Sequence, residues 1–116
     1  MKIEAKIQQE IVVWFNNNYC LQKNDPKCVV FSVPNETKDV KEMMVKKATG
    51  LLSGVSDLIV VLPSKVLFVE VKTTTGKQSK NQIKFQKEVT DLGFEYHLVR
   101  SLDDFKKIVL YLQLKQ

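Results

Sequence analysis

Three charged residues stand inside or against apolar runs of this sequence. Asp57 opens DLIVVL, and Glu70 and Lys72 flank Val71 within KVLFVEVK. Charged side chains are seldom fully buried unless they are paired or bound to a ligand, so Glu-Val-Lys in a buried strand needs a chemical reason. Two carboxylates held together in a dry site repel each other and favour a cation between them. Carboxylate oxygens are the ligands that Mg2+ or Mn2+ prefers, and the Val71 carbonyl offers a further hard oxygen. A lysine two residues from Glu70 projects on the same side of a strand, where its ammonium can point at an attacking water or a phosphate. Asp57, Glu70, Val71 and Lys72 therefore read as a centre for metal-assisted hydrolysis of a phosphodiester. In isolation the same residues also fit a buried Glu–Lys pair with Asp57 as a turn cap, because Asp…Glu-X-Lys is short and degenerate.

The surrounding elements decide whether these residues meet. DLIVVL (57–62) and KVLFVEV (65–71) are apolar runs joined by Pro63-Ser64, the pattern of a hairpin at the middle of a sheet. Antiparallel pairing across that turn lays the start of the first run beside the end of the second, which brings Asp57 to Glu70 and Lys72. Upstream, Ile3, Ile7, Ile11 and Trp14 recur at spacings of four, four and three and predict an amphipathic helix over 1–19, its stripe widened by Phe15. Asn16, Asn17 and Asn18 are expected to end it, since asparagine favours turns. After the polar loop QKNDPK, residues 28–33 (CVVFSV) predict a strand stopped by Pro34. Residues 39–48 read as a short helix or an ordered loop closed by Gly50. Ser79 is placed to cap a helix carrying Ile83, Phe85, Val89 and Leu92, with Gly93 at its end. Residues 94–99 predict a strand. Ser101 caps a last helix with Asp103 and Asp104 in its first turn, where negative charge suits the helix dipole.

With 116 residues, 44% of them hydrophobic and 27% charged, the sequence has the make-up of one ordinary globular domain spanning 1–116. No apolar run approaches the roughly 20 residues of a membrane helix. MKIEAKIQQE carries charges where a signal peptide has an apolar core, so a cytoplasmic chain is expected. Cys20 and Cys28 form no CxxC pattern and are expected as thiols rather than a disulfide. His97, between Tyr96 and Leu98, is expected as a structural imidazole on a strand. The net charge is +5, and between Leu58 and Lys87 there are six lysines (Lys65, Lys72, Lys77, Lys80, Lys84, Lys87) against the single acid Glu70. Such a one-sided patch is the footprint of phosphate contact, with a solvated lysine face as the bland alternative.

GVSDLIVV followed by LFVEVKTTTGKQSKNQ resembles the PD-(D/E)XK nuclease superfamily. More closely, it is similar to the VRR-NUC domain, which is found alone in phages and bacteria and at the end of some DNA-repair nucleases. The matching residues are Gly54-Val55-Ser56-Asp57-Leu58, Glu70-Val71-Lys72 and Ser79-Lys80-Asn81-Gln82. The resemblance implies a restriction-endonuclease-like α/β core, αβββαβ, with a mixed central sheet flanked by helices and a C-terminal helix. It makes Asp57 and Glu70 metal ligands and Lys72 the catalytic lysine, and it places Gln82 near the phosphate. Ser56 departs from the pattern, where proline is commonest; the change bears on rigidity more than on chemistry. The family also carries a glutamate on the first helix, for which Glu4 and Glu10 compete. Glu4 projects roughly 40° from the middle of the isoleucine stripe and Glu10 about 80°. A glutamate four residues before a glutamine is also the family pattern, which Glu4 and Gln8 match, so Glu4 is preferred.

These features imply a Mg2+- or Mn2+-dependent, structure-specific DNA endonuclease acting on branched DNA such as Holliday junctions or flaps. A chain of this size is expected to work as a homodimer, with two sites facing opposed strands. The lysine-rich loop is expected to follow the DNA backbone, with Lys77, Ser79, Lys80, Gln82 and Lys84 in contact. The alternative is a non-catalytic basic DNA-binding module with a vestigial nuclease fold. An enzyme from another branch of the superfamily would keep the chemistry and change only the substrate.

Overall fold

The computed structural model of the chain describes residues 2–20, 28–33 and 38–114. Within them run α1 (Ile3–Phe15), β1 (Val29–Ser32), α2 (Val40–Ala48), β2 (Leu58–Leu62), β3 (Lys65–Val71), α3 (Lys80–Asp91), β4 (Glu95–Val99) and α4 (Leu102–Leu114). The strands form one sheet in the order β1-β2-β3-β4. β1 and β3 flank β2 antiparallel, and β4 joins β3 parallel after the α3 crossover. This is the mixed α/β architecture expected from the sequence. The loop QKNDPK and Pro34 lie outside the described residues.

The central hairpin follows from side-chain alternation. Leu58, Val60 and Leu62 on β2 and Leu67, Val69 and Val71 on β3 all point to one face and are buried. Ile11 and Phe15 of α1 and Phe105, Val109 and Leu112 of α4 cover that face, with the Phe15 and Phe105 rings edge to face at 5.7 Å. The tight connection works because Ser64 adopts a φ of 61°, which lets Leu62 pair directly with Lys65. On the opposite face Phe85 and Val89 of α3 close a smaller core over Tyr96, with Val55 and Phe68 against it.

Two local expectations change. The asparagines end the regular α-helix, with Asn16 as its C-cap, but the chain keeps winding through Asn16–Cys20 as a wider π-helical turn. Tyr19 stacks on Phe15 at 5.1 Å and meets Trp14 at 5.6 Å, and Asn18 Nδ2 donates back to the Trp14 carbonyl at 2.8 Å. Aromatic packing thus outweighs the turn preference of asparagine. On α3, Ile83 and Leu92 are exposed (54% and 74%) while Phe85 and Val89 are buried. Ile83 lies about 200° around the helix from Phe85, and Leu92 is the C-cap residue beyond the last packed turn. Residues 40–48 form a true helix, whose cap Asp39 accepts from the Glu42 N–H at 3.1 Å. Cys20 and Cys28 are not joined in a disulfide.

Gly54 sets the approach to Asp57. Its φ is +86°, and a Cβ there would lie 2.3 Å from the backbone C and O of Asn81. The turn before β2 is therefore pressed against the start of α3. Gly54→Ala combines left-handed strain with a backbone clash, and is expected to cost about 2–4 kcal/mol. A lowered urea midpoint with an unchanged slope would register that loss.

Candidate active site at the carboxylate end of the hairpin

Asp57 precedes β2, and its Oδ2 accepts the Val71 N–H at 2.7 Å. β2 begins at Leu58, whose partner is Val69, so Val71 runs two residues past the ladder. The Asp57 carboxylate takes the place of the missing strand. In an extended residue the N–H and C=O point to the same strand edge, so the Val71 carbonyl faces the Asp57 side. Lys72 turns the other way, its N–H bonded to the Val99 carbonyl at 3.0 Å.

Glu70 is 1% exposed, the one fully buried acid among the described residues. Gln82 Nε2 donates to its Oε1 at 3.2 Å and the Tyr96 hydroxyl to its Oε2 at 3.3 Å. Burial pushes its pKa up to about 9, helped by the hydrogen bond that the protonated Glu70 carboxyl donates to Asp57 and by repulsion from that carboxylate, and the Lys72 charge and the Tyr96 hydroxyl only partly offset this. Burial, then the neighbouring Glu70, likewise raises Tyr96 above the usual phenol range. The hairpin therefore brings Asp57, Glu70 and the half-buried Lys72 together at one end of the sheet.

Glu4 stands on a different wall. It lines an open cleft of about 540 Å3 with Lys2, Ile3, Ala5, Gln8, Asp57 and Thr73, and Glu10 does not line it. Asp57 thus touches both regions, Glu70 on one side and the α1 cleft on the other. The described residues hold no cluster of three His, Cys, Asp or Glu side chains spaced for a metal ion. A divalent cation would rely on Asp57, Glu70, the Val71 carbonyl and water. That donor set fits such a cation: it is all hard oxygen, and a dication would offset the burial and the Asp57 repulsion that together raise the Glu70 pKa.

Three of the six lysines have an acidic partner. Lys65 sits at the far, hairpin end of the sheet and pairs with Glu95, Lys87 pairs with Asp91 at 2.7 Å, and Lys84 approaches Glu88 at 3.9 Å. Lys72, Lys77 and Lys80 form no ion pair among the described residues and lie at the carboxylate end. Ser79 and Gln82 are occupied locally by a capping box: Gln82 N–H donates to Ser79 Oγ at 3.2 Å and Ser79 N–H to Gln82 Oε1 at 2.8 Å. Gln82 therefore ties the start of α3 directly to Glu70. His97 is half-buried against Glu95 at 3.0 Å.

Two contributors were not visible in the sequence. Tyr96 reaches Glu70 from β4. Arg100 clamps the loop after Lys72, its Nη1 donating to the carbonyls of Thr73 and Gly76 at 2.5 and 2.8 Å. Neither carries a local signal, because both partnerships depend on the parallel β3–β4 register.

A mixed sheet whose central hairpin ends in two carboxylates and a lysine, with helices on both faces, is the arrangement that the resemblance to the PD-(D/E)XK nucleases implies. The chain belongs to the VRR-NUC domain family, whose sequence model matches residues 2–103. A solved structure described as a VRR_NUC domain protein superposes with a TM-score of 0.75 at 16% identity, covering 96% of this chain and 88% of the other. A second, described as a VRR_NUC domain, gives 0.65 at 21% identity over 94% and 96% of the two chains. At these identities the two structures bear on the fold alone. No protein of curated function matches the chain in sequence. Among the described residues no helix is long and apolar enough to cross a membrane.

Proposed function

We propose that this chain is a Mg2+- or Mn2+-dependent DNA endonuclease that hydrolyses phosphodiester bonds in branched DNA. The observation that carries the reading is the contact of Asp57 with a buried, Gln82- and Tyr96-held Glu70 beside Lys72. Asp57, Glu70 and the Val71 carbonyl would hold the cation, which when bound supplies an acidified water and neutralises charge on the phosphate. Lys72 brings a positive charge to the same point, where it orients the scissile phosphate and stabilises negative charge developing on its oxygens. Lys77 and Lys80, exposed on the loop and at the start of α3, hold the flanking DNA backbone without reading its bases. Glu4, across the cleft from Asp57, assists from the α1 side.

The preference for junctions or flaps rests on the family resemblance. A homodimer is proposed with it, supported by the apolar surface left open on α2, where Val40, Met44 and Val45 are 72%, 67% and 64% exposed. A short helix of this kind gains most of its stability from packing, and a second copy would supply it. Labelled four-way junction, flap, splayed-arm and linear duplex DNA, each incubated with Mg2+ or Mn2+, test the substrate, and sedimentation of the same sample reads its mass. Faster cutting of branched than linear DNA by a two-chain species is expected. Equal cutting of all four substrates overturns the branched-DNA reading, and a single-chain mass overturns the dimer.

A further inference from the structure

We infer that Tyr96 and Gln78 are positioning residues for Glu70, a two-step chain of donors that fixes the rotation of this carboxylate for cation binding. The inference rests on the proposed metal-dependent activity and adds to it the residues that set the ligand's orientation.

The direction of the chain follows from donor counting. Gln78 Nε2 lies 2.9 Å from Gln86 Oε1 and 3.1 Å from the Tyr96 hydroxyl. An amide nitrogen has two hydrogens and no acceptor capacity, so both are used, one on each neighbour. The Tyr96 hydroxyl accepts from Gln78, and its single proton is left for Glu70 Oε2 at 3.3 Å. Glu70 Oε1 is held independently by Gln82 at 3.2 Å. Each carboxylate oxygen thus takes one hydrogen bond and keeps a further lone-pair site.

The tyrosine itself is well fixed. Its ring is 8% exposed and packs edge to face against Phe85 at 6.3 Å. The parallel pairing sets Tyr96 opposite Phe68 and Leu98 opposite Glu70, which places Tyr96 and Glu70 on one face of the sheet. Gln78 lies between Lys77 and Lys80, the lysines proposed to hold DNA backbone, but both hydrogens of its own amide are taken up by Gln86 and Tyr96. Partners of a metal ligand that fix its orientation are worth about 10–100-fold in metal affinity or activity when removed.

The test is a Mn2+ titration of the full chain by calorimetry for wild type, Tyr96→Phe and Gln78→Ala, with DNA affinity measured in EDTA on the same samples. Tyr96→Phe keeps the ring and its packing and removes only the hydroxyl. It is expected to weaken Mn2+ binding about 10-fold and to lower kcat while KM for DNA stays unchanged. Gln78→Ala, which acts one step further out, is expected to weaken Mn2+ binding a few-fold. DNA affinity in EDTA should be the same for all three proteins, which a merely structural defect would not leave intact. Wild-type Mn2+ affinity in both variants overturns this inference and leaves the proposed function standing. Absence of Mn2+ binding by the wild type overturns both. Should Tyr96→Phe fail to fold, the Gln78→Ala titration decides alone.

Discussion

Asp57→Ala and Lys72→Ala are each expected to slow DNA cleavage by about 100- to 1,000-fold while leaving the chain folded, the scale seen when a single charge-stabilising group is removed from an active site. The two substitutions push Glu70 in opposite directions. Asp57 raises the Glu70 pKa by hydrogen bonding and repulsion, whereas Lys72 lowers it. Removing Asp57 therefore eases ionisation of Glu70, and removing Lys72 hinders it. If cleavage depended only on having Glu70 ionised, Asp57→Ala would preserve or improve it. Loss of activity in both variants separates a site that needs each group from one that needs a charge balance. Asp57→Ala also strips the acceptor from the Val71 N–H. A stability loss of about 1–3 kcal/mol is expected from that unpaired donor, small enough to leave the fold in place. Single-turnover cleavage rates, read beside urea unfolding curves, measure both effects.

Glu70→Gln is expected to stabilise the cation-free protein at pH 8 and to remove most of its pH dependence above pH 4.5. The Glu70 pKa is raised from 4.5 to about 9 in the folded chain, so between these values the folded state holds a proton that the unfolded state has lost. Stability linked to that proton is fully present below pH 4.5 and drains away as pH rises towards 9. While the difference lasts, the slope is about 1.4 kcal/mol per pH unit. The amide is close in shape and carries no charge, so it escapes the penalty. On the proposed function a divalent cation would do for the wild type what the proton does, and Mn2+ should stabilise the wild type more at pH 8 than at pH 5. It should do little for Glu70→Gln at either pH. Urea unfolding at pH 5, 7 and 8.5, with and without Mn2+, gives the answer. Parallel pH profiles for wild type and variant would contradict the assignment of a buried, proton-holding Glu70.

Local patterns carried most of what could be read from the sequence. The hairpin was legible because two apolar runs of strand length flank Pro63-Ser64, which leaves room only for a tight connection. Ser79 as the cap of α3 is a local signal and was equally plain. Asp57, Glu70 and Lys72 meet because the hairpin register is set by those same local patterns. The features that escaped depend on distant partners. Six clustered lysines looked like one patch, but Lys65 meets Glu95 from a strand 30 residues away, and helical spacing pairs Lys87 with Asp91. The asparagines after Phe15 signal a turn in isolation, and only the packing of Tyr19 on Phe15 keeps the chain winding. Resemblance sets Gln82 near the phosphate, and its added bond to Glu70 depends on how α3 packs on the sheet. Tyr96 has nothing in its immediate sequence to distinguish it from any strand tyrosine. Its role appears only once the parallel β3–β4 register sets it on the Glu70 face.

The central claim is that the carboxylate pair at the end of the hairpin cuts DNA. A cleavage time course in Mg2+, wild type beside Glu70→Ala, on a mixture of labelled junction, flap and linear DNA tests it most directly. Cutting by the wild type, abolished by EDTA and absent from an equally folded Glu70→Ala protein, is the result expected. Full cutting by Glu70→Ala, or none by the wild type on any substrate, would contradict it.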